Sequence, residues 1–134
     1  MVKTLYLDTN IFVYLFEDRE PWRSKIVSLL SDDQQHYITS VFAIAELLVP
    51  AYREKRNDLA DLYREKIENF VAAVISVDRA VAVEYARLRA AHPKMSKPDA
   101  LHVACAIAGG ADIFLTNDDQ LAAIPVKGIK FRRI

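Results

Sequence analysis

Hydrophobic positions along the chain follow two alternating rhythms. Short apolar runs at residues 4–8 (TLYLD), 36–39 (HYIT), 74–77 (VISV) and 112–116 (DIFLT) read as strands. Residues 129–133 (IKFRR) read as a fifth strand at a sheet edge. Between the strands, apolar residues recur at three- and four-residue spacing, the mark of amphipathic helices. Strands alternating with helices predict one α/β domain over residues 1–134, a three-layer α/β/α arrangement around a central, mostly parallel sheet of four to five strands.

The polar residues punctuate this pattern. Asp8-Thr9-Asn10 leads from the first strand into a helical turn over residues 11–16, and Pro21 suits the first position of a helix that places Trp22, Ile26 and Leu29 or Leu30 on one face. Ser40 is a cap for a helix carrying Val41, Ile44, Ala45 and Leu48. Asn57 opens a strongly amphipathic helix through Leu59, Leu62, Tyr63, Ile67, Phe70 and Val71. Asp78 caps a helix reaching Ala91, and Ser96 opens another that stops at Gly109-Gly110. A short helix is expected near residues 118–123.

Composition narrows the picture. Lys plus Arg and Asp plus Glu both number 18 in 134 residues, so bulk charge does not mark a protein that wraps nucleic acid; such contacts would come from local clusters. Those clusters are Lys94 with Lys97, Arg53 with Lys55 and Arg56, and Lys127, Lys130, Arg132 and Arg133. The single cysteine, Cys105, lies in an apolar helix; it excludes an intrachain disulfide and a multi-cysteine zinc site and fits a reducing compartment. No signal-peptide pattern opens the chain and no apolar run reaches membrane-spanning length, so a soluble, cytoplasmic protein is expected.

Four acids carry the candidate chemistry. Ligands of an open parallel sheet collect at the carboxyl ends of its strands. Asp8 and Asp118 fall there, Asp99 lies in the first turn of the helix before the DIFLT strand, and Glu46 lies inside the apolar segment VFAIAELLV. Each has an ordinary alternative. Asp8 and Asp118 could cap helices, Asp99 completes a capping box with Ser96, and Glu46 could point to solvent. If the fold gathers them, their mutual repulsion calls for a hard divalent cation, and an all-oxygen set suits Mg²⁺ or Mn²⁺ rather than zinc. His102, one turn beyond Asp99, reads as a structural hydrogen-bonding residue, with contact to the cleft as the alternative; Tyr14, Phe16, Phe42 and Tyr52 read mostly as core, with base stacking or a partner groove as the alternative.

LDTNIFVYLF, TSVFAIAELL and SKPDALHVACAIAGGADIFLTNDDQL, in that order, resemble the motifs of the PIN-domain family, and most closely those of VapC-type toxins of toxin–antitoxin pairs. The resemblance runs nearly the length of the chain. It implies that Asp8, Glu46, Asp99 and Asp118 hold a metal, supported by Asn10, Thr116 and Ser40, with Asp119 as a competitor for the role of Asp118. It further implies an endoribonuclease leaving 5′-phosphate and 3′-hydroxyl ends, a homodimer and a small antitoxin partner. Two other readings remain at this point. One is a PIN nuclease of RNA processing without an antitoxin. The other is a non-enzymatic receiver-type module accepting phosphate on Asp, for which Lys127 would be the required lysine; that reading leaves Glu46 unexplained.

Overall fold

A computed structural model describes residues 2–134. Strands β1 (Lys3–Leu7), β2 (Gln35–Ser40), β3 (Ala73–Ile75), β4 (Ile113–Thr116) and β5 (Lys130–Arg133) form one sheet in the order β3-β2-β1-β4-β5. All four pairings are parallel, so the sheet is wholly rather than mostly parallel. The helices are α1 (Thr9–Phe16), α2 (Trp22–Leu29), α3 (Val41–Arg53), α4 (Asn57–Phe70), α5 (Arg79–Ala91), α6 (Lys97–Ala108) and the single turn α7 (Asp119–Ala122).

The alternation of side chains along a strand divides the core into two layers. Leu5 and Leu7 of β1, with Ile113 and Leu115 of β4, face one side, where Ile11, Phe12, Ile26, Leu47, Tyr63 and Ile67 of α1 to α4 cover them. Tyr6 and Phe114 face the other side, where Val81 and Leu88 of α5, Val103 and Ala104 of α6 and Leu121 of α7 close over them. Burial on both faces explains why the strands read as continuous apolar runs.

Local signals act largely as expected. Ser40, Asp78 and Ser96 cap α3, α5 and α6, their side chains accepting from the N–H groups of Ala43, Val81 and Asp99. The helix expected to start on Pro21 starts one residue later, with Pro21 as its cap in helical conformation. The third strand is shorter than the VISV run, ending at Ile75.

Chain order positions the site. From β1 the chain moves outward through β2 to β3, then returns through α5 and α6 to the other side of β1. The crevice between the carboxyl ends of β1 and β4 is therefore the topological switch point, where ligands of such sheets bind.

At the foot of this return, Gly109 approaches the sheet closely. A Cβ there would lie 2.9 Å from Ile38 Cδ1 and from Ile75 Cδ1 and Cγ1. Gly109→Ala is expected to destabilise the fold by about 1–3 kcal/mol through overpacking. A lowered urea midpoint at unchanged slope is the expected readout; a wild-type midpoint would show that the two isoleucines repack freely.

Candidate active site

Asp8 is the residue after β1, and its extended backbone makes it the cap of α1; Thr9 N–H donates to Asp8 Oδ1 at 2.8 Å. Asp118 stands in the same relation to β4. Its Oδ1 accepts from Gln120 N–H and Leu121 N–H at 2.9 and 3.1 Å, opening α7. Thr116 Oγ1, itself buried, accepts from Asp118 N–H at 3.1 Å. The capping alternative is thus true of both residues, yet each cap engages only Oδ1, and no hydrogen bond to the second oxygen is found among the described residues.

Asp99 follows Ser96 with capping-box spacing, but the bond that forms is one-sided. Asp99 N–H donates to Ser96 Oγ at 3.2 Å, while no hydrogen bond of the Asp99 carboxylate is found among the described residues. Glu46 does not point freely to solvent. Its Oε1 accepts from Thr9 Oγ1 at 2.7 Å and meets His102 Nε2 at 2.5 Å.

These groups converge. Asp8, Thr9, Asn10, Glu46, Pro98, Asp99, His102 and Asp118 line one cleft of about 200 Å³. All four acids expected at the site share it, as does the expected supporting residue Asn10. Ser40 lies behind it, buried, and reaches it only through Tyr6. Asp119 is outside the cleft and pairs with Arg133 at 2.5 Å, so the geometry separates it from Asp118.

Burial is the largest influence on Asp8 and raises its pKa above the usual carboxylate value of 3.8. His102 and the Thr9 N–H pull it down, and the negative charges of Asp99 and Glu46 push it further up. Burial also raises Glu46, but the hydrogen bonds from His102 and Thr9 outweigh it and leave its pKa below 4.5. One acid is thereby strained by its charge and its neighbour is settled in it.

His102 and Thr9 are the residues that the sequence did not place in the site. His102, expected to be structural, is 3% exposed, with Nδ1 2.7 Å from the Tyr6 hydroxyl and Nε2 3.5 Å from Asp8 Oδ1. A His and a Tyr inside the apolar runs ALHVAC and LYL were the available signal, since buried polar groups require partners. Of the aromatic residues, Phe42 packs on the His102 ring with centroids 4.9 Å apart, Tyr14 stacks on Trp22 at 5.2 Å, and Phe16 joins the core. Tyr52 is exposed.

The C-terminal basic cluster is split by the strand it lies on. Arg133 pairs with Thr116 in the β4–β5 register, at the cleft end of the sheet, whereas Lys130 pairs with Ile113 at the opposite end. Lys127 precedes β5 in the loop at that far end, which leaves the receiver reading without a lysine beside the acidic cleft, as it already lacks a midchain acceptor Asp beyond a strand.

The chain belongs to the PIN domain family, whose profile matches residues 5–127. Solved structures with the same fold include three that bear VapBC or VapC names. VapBC2 from Rickettsia felis, bound to a DNA fragment from its promoter, is 20% identical with a TM-score of 0.76 over 97% of this chain and 98% of that one. DNA-bound VapBC from Salmonella typhimurium is 19% identical, TM-score 0.73, over 99% and 98%. VapC20 of Mycobacterium tuberculosis, a toxin that cleaves the sarcin-ricin loop, is 16% identical, TM-score 0.70, over 89% and 93%. No curated protein matches the sequence.

The opposed shifts of Asp8 and Glu46 give opposed pH effects in metal-free protein. A carboxyl group whose folded pKa is raised opposes folding when ionised; that penalty fades as pH falls through the folded value and is gone below 3.8. A carboxyl group whose folded pKa is lowered stabilises above 4.5, and the contribution is lost as pH falls through its folded value. Asp8→Asn is therefore expected to exceed wild type in stability at neutral pH, and Glu46→Gln to fall below it. The Asp8→Asn gap should narrow as pH falls through the raised folded value and vanish below 3.8, and the Glu46→Gln gap should close only below 4.5, in denaturation curves taken from about pH 7 to about pH 2. Shifts of the same sign in the two variants would contradict this account.

Proposed function

We propose that this protein is a metal-dependent endoribonuclease that hydrolyses RNA phosphodiester bonds, and that it is the toxin of a VapBC-type toxin–antitoxin pair. The observation carrying the nuclease reading is the meeting of four carboxylates, from four different elements, in one cleft at the switch point of a parallel sheet.

The donor set fits Mg²⁺ or Mn²⁺. Its charged donors are carboxylate oxygens, and hard divalent ions take such ligands. Among the described residues, no three Asp, Glu, His or Cys side chains converge tightly enough to enclose an ion by themselves. Asp8, Glu46, Asp99 and Asp118 would hold the cation. When bound, it supplies Lewis acidity toward the phosphodiester and a more nucleophilic water at neutral pH.

The remaining chemistry belongs to the chain. Thr9 and His102 fix Glu46 in its ionised form. The Thr9 N–H and the α7 N–H groups hold one oxygen each of Asp8 and Asp118, so that the other remains available to a cation. Asn10, at the start of α1, lines the same wall and can donate to a phosphate oxygen. Arg133, at the cleft end of β5, adds the positive charge that a neutral protein must supply locally. The likeness to VapBC structures supports an antitoxin partner, and the resemblance to VapC-type toxins adds a homodimer to the reading. Among the described residues no helix is long and apolar enough to cross a membrane. With RNA as substrate and one free cysteine, the reading includes a cytoplasmic location.

RNA cleavage is expected with Mg²⁺ or Mn²⁺ and to cease in excess EDTA, with 5′-phosphate and 3′-hydroxyl products. Cleavage that persists in EDTA, or 2′,3′-cyclic phosphate ends, would refute the mechanism. Expression should arrest growth, and a small neighbouring reading frame should relieve it; a nuclease without such a neighbour would keep the chemistry and lose the toxin role.

Asp99→Asn separates site from cap. As a site residue, its loss should reduce cleavage by more than about 100-fold, beyond what a merely supporting group contributes. Metal-free stability should hold or rise, and the melting shift on adding Mn²⁺ should shrink. An active variant weakened by about 1 kcal/mol, with its full Mn²⁺ shift, would return Asp99 to a capping role.

A further inference from the structure

Behind the acidic cleft runs a line of buried polar groups that ends on His102 and Glu46, and its inner members, Ser40 and Tyr6, are not used by the proposed chemistry. Ser40 Oγ and Tyr6 Oη are 2.7 Å apart, Tyr6 Oη and His102 Nδ1 are 2.7 Å apart, and His102 Nε2 reaches Glu46 Oε1 at 2.5 Å. Tyr6 and Ser40 are fully buried. The line runs from the cap of α3, past Tyr6 of β1 and His102 of α6, to the wall of the cleft.

The direction of each bond follows from its neighbours. Glu46 Oε1 belongs to a carboxylate held ionised, which only accepts, so His102 Nε2 carries the hydrogen. Burial drives the Tyr6 phenol well above its ordinary pKa, so it keeps its proton and can donate to Nδ1. Ser40 Oγ already accepts from Ala43 N–H at 3.2 Å, which leaves its own hydrogen for Tyr6. Every group in the line then has a partner, and the order Ser40 to Tyr6 to His102 to Glu46 is self-consistent.

We infer that Tyr6 and His102 are positioning residues of the metal site: Tyr6 fixes the ring of His102 with Nε2–H toward the cleft, and that N–H orients the carboxylate of Glu46, and more distantly Asp8, for the cation. This rests on the proposed metal-dependent function and adds to it. Outer hydrogen bonds of this kind hold ligands in register, and losing them typically lowers metal affinity by about 10–100-fold. Phe42 packs on the His102 ring, and Phe114 stacks on Tyr6 at 5.0 Å between centroids. The geometry is thus set by the core of the protein rather than by the cleft.

The test uses the full chain and Mn²⁺ alone, followed by electron paramagnetic resonance of the free ion and by the melting shift on Mn²⁺ addition, with RNA cleavage as a separate readout. Three variants are compared. Tyr6→Phe keeps the ring and removes the hydroxyl. His102→Leu removes both ring nitrogens. His102→Gln restores an N–H near the position of Nε2. Tyr6→Phe and His102→Leu are expected to bind Mn²⁺ about 10-fold or more weakly, with kcat reduced more than KM for RNA is raised. His102→Gln should recover most of the affinity, which a merely space-filling role for the ring would not explain. Nitrogen-15 spectra of the metal-free wild type should show Nε2 protonated and Nδ1 bare.

Metal-free melting curves identify any variant that fails to fold, and Tyr6→Phe, the mildest change, then carries the comparison together with the spectra. Wild-type Mn²⁺ affinity in both Tyr6→Phe and His102→Leu, or the reverse tautomer in the spectra, overturns the inference and leaves the nuclease reading standing. A wild type that binds no Mn²⁺ overturns the metal site, and this inference with it.

Discussion

Carboxylates gathered in one cleft repel each other, and much of this structure acts to hold them there. Asp8 bears the cost most directly, since burial and the charges of Asp99 and Glu46 all favour its neutral form. The opposing contacts are modest and local: N–H groups at the starts of α1 and α7, the Thr9 hydroxyl and the imidazole of His102. They suffice because the backbone around them has little freedom to relax. β1 and β4 are adjacent central strands, buried on both faces, and they deliver Asp8 and Asp118 to the same crevice. The repulsion is thereby held against a sheet buried on both faces.

Much of this was legible in the sequence because it depends on local rules. Alternating apolar runs and helical spacing marked the three layers, and Ser40, Asp78 and Ser96 cap helices where their side-chain chemistry says they should. Asp8 and Asp118 stood out through the parallel-sheet rule, and Glu46 through its apolar surroundings. What the sequence could not decide was whether an acid at a helix start is a cap or a ligand. For Asp8 and Asp118 the two roles are compatible, because a carboxylate has two oxygens and capping needs one.

The parts that stayed hidden depend on long-range placement. His102 and Tyr6 are separated by 96 positions, so nothing in either segment announces the other. The C-terminal lysines and arginines looked like one cluster in one dimension. A strand advances roughly 3.3 Å per residue, so Lys130 and Arg133 end at opposite ends of the sheet. Asp118 and Asp119 are neighbours in the chain, yet one lines the cleft and the other meets Arg133 outside it.

The two borders of the sheet carry a different consequence. β3 is only three residues long, and β5, of four residues, carries Lys130, Arg132 and Arg133. Short or charged borders are poor templates for the backbone of another chain, and proteins use both devices to prevent edge-to-edge aggregation. The sheet is therefore closed to growth in either direction. Association with a second copy or another protein is steered to the helical faces, where main-chain pairing plays no part and side-chain shape must provide the recognition.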